Sequence, residues 1–222
     1  MAFNNEAEKI DNPSGLFSFS KNQRAYFFFK RLIDLGGSFV GILLLSLPML
    51  VIAIITRCTS KGPAIYKQTR LGRDEKPFTM MKFRSMRADA PSIAPADMAP
   101  GEQEHLITKW GRFIRKTSID EWPQLFNIFA GHMSFIGPRP QQDKEHELKL
   151  YNARHEFNPT AFAVKPGLCS LAIVKMHRSH DPKEKAFYDS EYARTVSFKT
   201  DVALFFAAFG ILLGIRKQDK GK

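Results

Sequence analysis

The segment LGGSFVGILLLSLPMLVIAII, residues 35–55, contains no charged side chain. Its length is close to what an α-helix needs to cross the hydrocarbon core of a bilayer. It starts too far into the chain for a signal peptide and lacks a small-residue cleavage pattern behind it. The segment therefore predicts that the chain is bound to a membrane.

Two features of this segment argue against a simple crossing. Pro48, with Ser46 close before it, lies inside the apolar run and is expected to break or kink a helix. Basic residues also flank the run on both sides, namely Lys21, Arg24, Lys30 and Arg31 before it and Arg57, Lys61, Lys67 and Arg70 after it. Such flanks favour the cytoplasmic side. We therefore predict a re-entrant hairpin over residues 30–57, and an ordinary kinked transmembrane helix is the alternative.

The amino-acid composition indicates what kind of partner the protein binds. The net charge of +11 and pI near 9.7 indicate an anionic one: nucleic acid, an acidic membrane surface or a phosphorylated small molecule. A length of 222 residues suits a single core. Cys58 and Cys169 lie far apart and supply neither a disulfide framework nor a CxxC metal site. A membrane-associated protein of a reducing compartment fits these observations.

The other segments predict an α+β fold that is mainly α-helical. We expect a mobile tail with an interfacial stretch at residues 1–29, and two short strands joined by a turn within residues 61–87. Residues 88–104, rich in proline and alanine, read as a loop. Residues 105–116 form a basic amphipathic helix that faces either the membrane surface or the core. Residues 202–215 are short for a crossing and predict an interfacial or core helix.

A second stretch, TSIDEWPQLFNIFAGHMSFIGPRP at residues 117–140, carries the chemistry. Asp120 and Glu121 follow a run of cations. Ser118 and Glu121 fit a capping box and Pro123 suits a first turn, so we expect both acids at a helix N-terminus. The helix dipole there favours an ionised carboxylate, available as a nucleophile or as a ligand of a hard cation such as Mg²⁺. Helix capping alone also explains such a pair.

Several basic residues are candidates to bind a phosphorylated substrate beside these acids. Arginine can hold a phosphoryl group through two parallel hydrogen bonds. Cationic side chains would also offset the repulsion between a carboxylate and an anionic phosphate. The candidates are Lys82, Arg84, Arg112, Arg115 and Arg139.

The motifs resemble those of the bacterial sugar transferase family, the monotopic phosphoglycosyl transferases. The resemblance rests on KRLIDL, KFRSM, the stretch 117–140 and VKPG, and runs from about Lys30 to about residue 213. It implies transfer of a sugar-1-phosphate from a UDP-sugar to a polyprenyl (undecaprenyl) phosphate, with release of UMP. This reaction initiates the assembly of glycans such as exopolysaccharide, O-antigen, capsule or glycoprotein glycans.

The resemblance also implies roles for individual residues. Asp120 matches the nucleophile that forms an aspartyl–phosphosugar intermediate, and Glu121 matches its partner acid. Both acids are associated with Mg²⁺, for which Mn²⁺ is an alternative. The positions of Lys82, Arg84, Arg115 and Arg139 match motif positions that we assign to phosphate or nucleotide binding. The family's N-terminal helix is a re-entrant hairpin broken at a Ser-Pro pair.

The same resemblance sets the expected surroundings. Residues 58–222 would form a cytoplasmic or interfacial catalytic domain at the cytoplasmic face of the bacterial inner membrane. The expected partners are the UDP-sugar donor, the polyprenyl phosphate acceptor and membrane lipid, without nucleic acid. An oligomer is compatible with the sequence.

The chain departs from the family pattern at three places. Leu47 separates Ser46 from Pro48, His132 replaces an acid of G-D-M-S, and residues 169–173 replace the usual T-G-W-A-Q. Because of these changes, the motifs do not identify which sugar the donor carries. Two alternative interpretations stand beside the enzyme: a membrane-associated basic protein that binds anions or lipid, and a family member that has lost catalysis.

Overall fold

The computed structural model describes residues 17–87, 90, 105–176 and 181–212. Helices predominate in these residues, and the strands form two small pairs, which confirms the predicted, mainly helical α+β class. The helices are α1 (Lys21–Thr59), α2 (Lys109–Lys116), α3 (Gln124–Phe129), α4 (Leu148–His155), α5 (Leu171–Lys175), α6 (Pro182–Thr195) and α7 (Phe198–Leu212). The strands are β1 (Ile65–Leu71), β2 (Pro77–Phe83), β3 (Ser134–Ile136) and β4 (Gly167–Cys169).

Helix α1 is long and apolar enough to cross a membrane. It starts at a capping box, in which the Ser20 hydroxyl accepts from the Gln23 N–H and the Gln23 side chain accepts from the Ser20 N–H. Residues 21–29, predicted as part of the tail and interfacial stretch, form its first turns. The expected interruption is not seen: the helix continues through Pro48, and the Ser46 hydroxyl donates to the Leu43 carbonyl at 2.9 Å. The predicted hairpin is therefore not confirmed.

Helix α1 presents two different faces. One face is buried, and its buried members are Asp34, Ser38, Met49, Ile52 and Thr56. They are three, four or eleven residues apart, which keeps them on a single helical stripe. Gly41 lies on the same side, and a Cβ there would be 3.2 Å from Leu125 Cδ1. The opposite face exposes large apolar side chains, among them Phe28, Phe29, Leu32, Ile33, Phe39, Val40, Leu43, Leu44, Leu47, Leu50 and Ile54.

The predicted strands of residues 61–87 are confirmed as the antiparallel hairpin β1–β2. Its register runs from Ile65 opposite Phe83 to Leu71 opposite Pro77. A 3₁₀ turn, Arg73–Glu75, connects the two strands at the end where Leu71 lies opposite Pro77. Phe83 of the hairpin packs in one apolar cluster with Ile114 of α2 and the α1 residues Met49 and Ile52. This cluster fixes α2 and the hairpin against the C-terminal half of α1.

The two amphipathic helices each bury one face. On α2, Ile114 is fully buried and the Trp110 indole N–H donates to Thr56 Oγ1 at 3.0 Å, so this helix takes the core-facing alternative. Phe113 of the same helix is half-exposed. On α7, Leu204 and Ala207 are buried, whereas its opposite face exposes several phenylalanines: Phe198, Phe205, Phe206 and Phe209. The predicted loop at 88–104 lies almost entirely outside the described residues.

Candidate active site

The two adjacent acids lie in a 3₁₀ turn, Ile119–Glu121, between α2 and α3. Helix α3 begins only at Gln124, so the acids precede that helix instead of forming its first turn. The expected capping box is wrong, because Ser118 has a left-handed backbone (φ 56°) and its side chain makes no capping hydrogen bond. Backbone carbonyls take its place: the Glu121 N–H donates to the Ser118 carbonyl at 3.2 Å.

Glu121 is fixed by two cations. Its Oε1 accepts one hydrogen bond from Lys82 Nζ and one from Arg139 Nη2, both at 2.9 Å. Burial, the largest single influence, raises the pKa of Glu121, but the charges and hydrogen bonds of Arg139 and Lys82 outweigh it and lower this pKa to about 2. Glu121 is therefore a permanent anion at neutral pH. It also holds two cationic groups at a single oxygen atom.

Asp120 has the opposite electrostatic character. Its side chain is buried, and burial together with the neighbouring Glu121 charge raises the pKa of Asp120 above its usual value. Lys82, Arg115 and Arg139 oppose that increase. The direction differs from that expected of a carboxylate at a helix N-terminus, because burial and the second acid both raise this pKa. The less acidic carboxylate is the more basic one and hence the stronger nucleophile once it is ionised.

The structure brings only some of the candidate cations to the acids. Lys82 and Arg139 contact Glu121, and Arg115 acts on Asp120 through its charge. Arg84 is elsewhere: its Nη2 donates at 2.7 Å to the Ser60 carbonyl, at the C-terminal end of α1. Arg112 is exposed on α2. Within the described part of the chain, no hydrogen bond or ion pair joins Arg84 or Arg112 to either acid.

Arg139 is positioned by a tight parallel strand pair. Ser134 and Ile136 of β3 lie opposite Gly167 and Cys169 of β4. The backbones then approach so closely that a Cβ on Gly167 would be 2.1 Å from the Gly137 nitrogen, which only glycine allows. The segment GPRP leaves this pair toward the acids.

A buried ion pair that the sequence did not reveal supports the same segment. Arg154 of α4 is almost fully buried and donates from Nη2 both to the Arg139 carbonyl, at 3.0 Å, and to Asp189 of α6. Its Nη1 donates to Gln141 Oε1 at 3.2 Å. No spacing in the sequence links positions 154 and 189, so only the packing of α4 on α6 could show this support.

Two positions that depart from the family pattern have different surroundings. Cys169 lies on β4, where burial first and the charge of Glu121 second raise the pKa of its thiol to about 11, so it stays protonated. His132 stacks on Phe78 with ring centroids 5.8 Å apart. Position 132 therefore packs against the hairpin, whereas position 169 lies within electrostatic reach of the acids.

A divalent cation would have few protein ligands here. Among the described residues, no group of three or more His, Cys, Asp or Glu side chains could hold a metal ion. The acid pair offers two carboxylates, and one Glu121 oxygen already accepts from two cations. Mg²⁺ commonly binds through one or two carboxylates together with substrate phosphate oxygens, and this arrangement fits such a shared site.

The chain is similar in sequence to one protein family and to several named sugar transferases. Residues 25–214 match the bacterial sugar transferase family. A UDP-galactose-lipid carrier transferase of Erwinia amylovora is 35% identical, over 84% of this chain and 40% of that protein. A UDP-glucose:undecaprenyl-phosphate glucose-1-phosphate transferase of Klebsiella pneumoniae is 37% identical, over 80% of this chain and 38% of that protein. An undecaprenyl-phosphate galactose phosphotransferase of Salmonella typhimurium is 33% identical, over 86% and 42%. The chain thus spans about two fifths of the length of these relatives.

Proposed function

Because this chain belongs to the bacterial sugar transferase family, we propose that it transfers a sugar-1-phosphate from a UDP-sugar to undecaprenyl phosphate and releases UMP. The names of the Klebsiella and Salmonella relatives support this reaction. The observation that carries the proposal is the acid pair among three cations, Lys82, Arg115 and Arg139. The product would be the lipid-linked first sugar of a bacterial glycan.

The chemistry consists of two displacements at one phosphorus atom. An oxygen of Asp120 attacks the phosphorus that carries the sugar, the bond from that phosphorus to the UMP oxygen breaks, and UMP leaves with the electron pair. The enzyme then carries an aspartyl phosphate ester of the sugar. A phosphate oxygen of the acceptor attacks the same phosphorus, the bond to Asp120 breaks, and the carboxylate is regenerated.

The charges of the site suit a diphosphate. Three cations surround two carboxylates, so the arrangement has a surplus positive charge to attract the donor and offset its repulsion from Asp120. Ionised Glu121 keeps Lys82 and Arg139 close together. The raised pKa of Asp120 supports its carboxylate as the nucleophile of the pair, whereas the low pKa of Glu121 suits a permanent charge.

We assign Mg²⁺, with Mn²⁺ as the alternative, to the carboxylates of Asp120 and Glu121 together with donor phosphate oxygens. The ion would neutralise charge on the diphosphate and on the departing UMP. Lys82 and Arg139 already neutralise one oxygen of Glu121, so that Asp120 and the remaining Glu121 oxygen are the available protein ligands.

The contacts and the exposed apolar face of α1 support a position at the membrane surface. Contacts with the rest of the protein extend along its apolar length: Asp34 accepts the Phe135 N–H at 3.0 Å near one end, and Thr56 accepts from Trp110 near the other. A helix that crosses the bilayer could not keep its whole length against a domain in water. We therefore infer that α1 lies at the cytoplasmic side of the membrane with its exposed apolar face in lipid. The acceptor phosphate can then reach Asp120 while its lipid tail stays in the membrane.

A trapped intermediate tests the chemistry. The full chain is mixed with Mg²⁺ and each of a panel of UDP-hexoses, without acceptor, quenched in acid and digested. We expect one donor to add a hexose phosphate to the peptide that contains Asp120, and the adduct to disappear in Asp120→Asn. Arg112→Gln, which removes a charge from the same helix as Arg115, should still form the adduct. An adduct of equal yield in Asp120→Asn would exclude Asp120 as the nucleophile.

A further inference from the structure

A cavity of about 410 Å³ lies beside the N-terminal half of α1, away from the acid pair. Residues of α1, the hairpin turn and the segment 163–165 line it, and neither Asp120 nor Glu121 is among them. Lys82 stands opposite Tyr66, near one end of the hairpin, whereas the lining residue Arg73 lies in the turn beyond its other end. The cavity is thus a separate site.

Its walls carry more positive than negative charge. The cations are Arg24, Lys30, Arg31, Arg73 and Lys165, and the acids are Asp34 and Asp74. Two of the cations are already paired: Lys30 with Asp201, and Arg73 with Asp74 at 3.3 Å. The remaining cations outnumber the one acid that is left, Asp34.

Two of these cations converge on one point. Arg31 Nη2 and Lys165 Nζ lie 3.2 and 3.6 Å from the position that a Cβ of Gly131 would occupy. Lys165 makes no hydrogen bond or ion pair with any residue that the structure describes. Burial first, and then the Arg31 charge, lower the pKa of Lys165, and the Asp34 charge offsets only part of this decrease. Such a pair would be stabilised by an anion between its members.

The remaining walls and the rim are apolar. Phe27, Val164 and Val196 line the cavity. On α1 the lining residues Phe27, Lys30 and Arg31 are interspersed with large exposed side chains, namely Phe28, Phe29, Leu32 and Ile33. The cavity therefore lies at the edge of the apolar face that the proposed membrane position puts into lipid.

We propose that this cavity binds the phosphate group of an anionic membrane phospholipid between Arg31 and Lys165. The acyl chains would lie along the exposed apolar face of α1, which a soluble phosphate ester could not use. Arg31 also donates to the carbonyls of Ile128 and Phe129, at 2.7 and 2.8 Å, at the end of α3. A lipid bound here would stabilise the docking of α1 on the body of the protein. The inference rests on the proposed membrane position of α1 and is independent of the proposed catalysis.

Lipid retention tests this site. The full chain is purified in detergent with added phosphatidylglycerol, and the retained lipid is counted by native mass spectrometry. We expect Lys165→Gln to bind phosphatidylglycerol about fivefold more weakly, the effect of one lysine beside an anionic lipid. Lys199→Gln is the matched control, because it removes the same charge from an exposed position on α7, outside the cavity. Lys165→Arg should restore retention, which separates lost charge from misfolding.

Two outcomes would contradict the proposal. Equal retention by wild type and Lys165→Gln would overturn it. Stabilisation of the wild type by soluble glycerol phosphate, with no retained phosphatidylglycerol, would overturn the lipid assignment and indicate a site for soluble phosphate esters. We expect Asp120→Asn to retain phosphatidylglycerol at the wild-type level. The lipid site can therefore be tested even if the proposed catalysis proves wrong.

Discussion

At the scale of single residues, the acid pair divides the two tasks that we propose for it, those of a nucleophile and of a fixed counter-charge. Glu121 has a lowered pKa of about 2 because Arg139 and Lys82 hold it, whereas burial and Glu121 raise the pKa of Asp120. A nucleophile benefits from basicity, and a fixed counter-charge benefits from permanent ionisation. Adjacent positions in one 3₁₀ turn provide both within a single short segment.

This division predicts how transfer depends on pH. Asp120 must be ionised to attack, so kcat/KM should fall on the acidic side with an apparent pKa above that of an ordinary aspartate. Arg115 lowers the pKa of Asp120, and Arg115→Gln should therefore move this limb to higher pH. The measurement is the kcat/KM profile of the variant against wild type, in buffers of constant ionic strength.

Arg112→Gln is the control for that profile. Arg112 lies three residues before Arg115 on the same helix and is exposed. Arg115 is among the charges that most affect the pKa of Asp120, and Arg112 is not. We expect the acidic limb of the Arg112→Gln profile to coincide with that of the wild-type profile. A limb that shifts equally in both variants would mean that helix charge in general, and not Arg115, controls Asp120.

The sequence predicted part of this geometry. Lys82, Arg115 and Arg139 act on the acids, but the Arg84 side chain contacts the end of α1 and Arg112 lies on the exposed side of α2. The sequence alone cannot show which of these cations reach the acids, because the direction of each side chain depends on how its helix or strand packs. Arg154 was missed for a related reason, since its buried partner Asp189 comes from another helix.

At the scale of elements, α2 brings Arg115 to the acids and is held very close to the hairpin. Gly111 of this helix faces the segment after β2, and a Cβ there would be 1.8 Å from the Ser85 carbonyl oxygen. Thr108, at the N-cap of α2, also contacts Ser85 through its backbone N–H, at 3.1 Å. Any side chain at position 111 must push α2 away from the hairpin.

Gly111→Ala should therefore destabilise the protein. Overpacking against backbone costs about 2 kcal/mol or more, which for a chain of this size lowers Tm by at least about 4 °C. Transfer activity should fall with it, because Arg115 moves with α2. Thermal unfolding in detergent measures the first effect, and a nucleotide-release assay at a temperature where the variant is folded measures the second.

Gly36→Ala is the matched control on another helix. A Cβ at Gly36 meets nothing within 4 Å, and alanine favours helix more than glycine does. Its Tm should be unchanged or higher. If Gly111→Ala behaved like Gly36→Ala, the close packing of α2 on the hairpin would not be needed for stability.

Elements with strong local patterns could be predicted from the sequence, and those that depend on tertiary contacts could not. The β1–β2 hairpin and the amphipathic α2 follow from alternation and helical periodicity. The course of α1 through Pro48 could not be predicted in this way. A proline is tolerated in a helix where packing supports the turns on both sides of it, and here Leu45 packs before Pro48 and Met49 and Ile52 pack after it.

At the scale of the whole molecule, both ends of α1 contact the same body. Gln23 Nε2 donates to the Arg194 carbonyl at 2.7 Å near the N-terminal end, and Arg84 donates to the Ser60 carbonyl at the other. The 39 residues of α1 correspond to about 58 Å of helix, roughly twice the hydrocarbon thickness of a bilayer. This arrangement favours a protein that approaches the membrane from one side.

Topology can be measured directly. In a background without Cys58 and Cys169, Lys21→Cys and Lys61→Cys introduce one thiol on each side of the apolar segment, both at exposed positions. We expect an impermeant maleimide to label both in inverted membrane vesicles and neither in right-side-out vesicles. Labelling of the two cysteines from opposite sides would show that α1 crosses the bilayer.

The nucleotide released during turnover tests the central claim most directly. The full chain in lipid nanodiscs is supplied with Mg²⁺, undecaprenyl phosphate and a panel of UDP-sugars, with Asp120→Asn as the paired variant. We predict UMP from one donor, and none from Asp120→Asn. Release of UDP would mean that the bond between sugar and phosphate breaks, which would contradict phosphosugar transfer and the role of Asp120 with it.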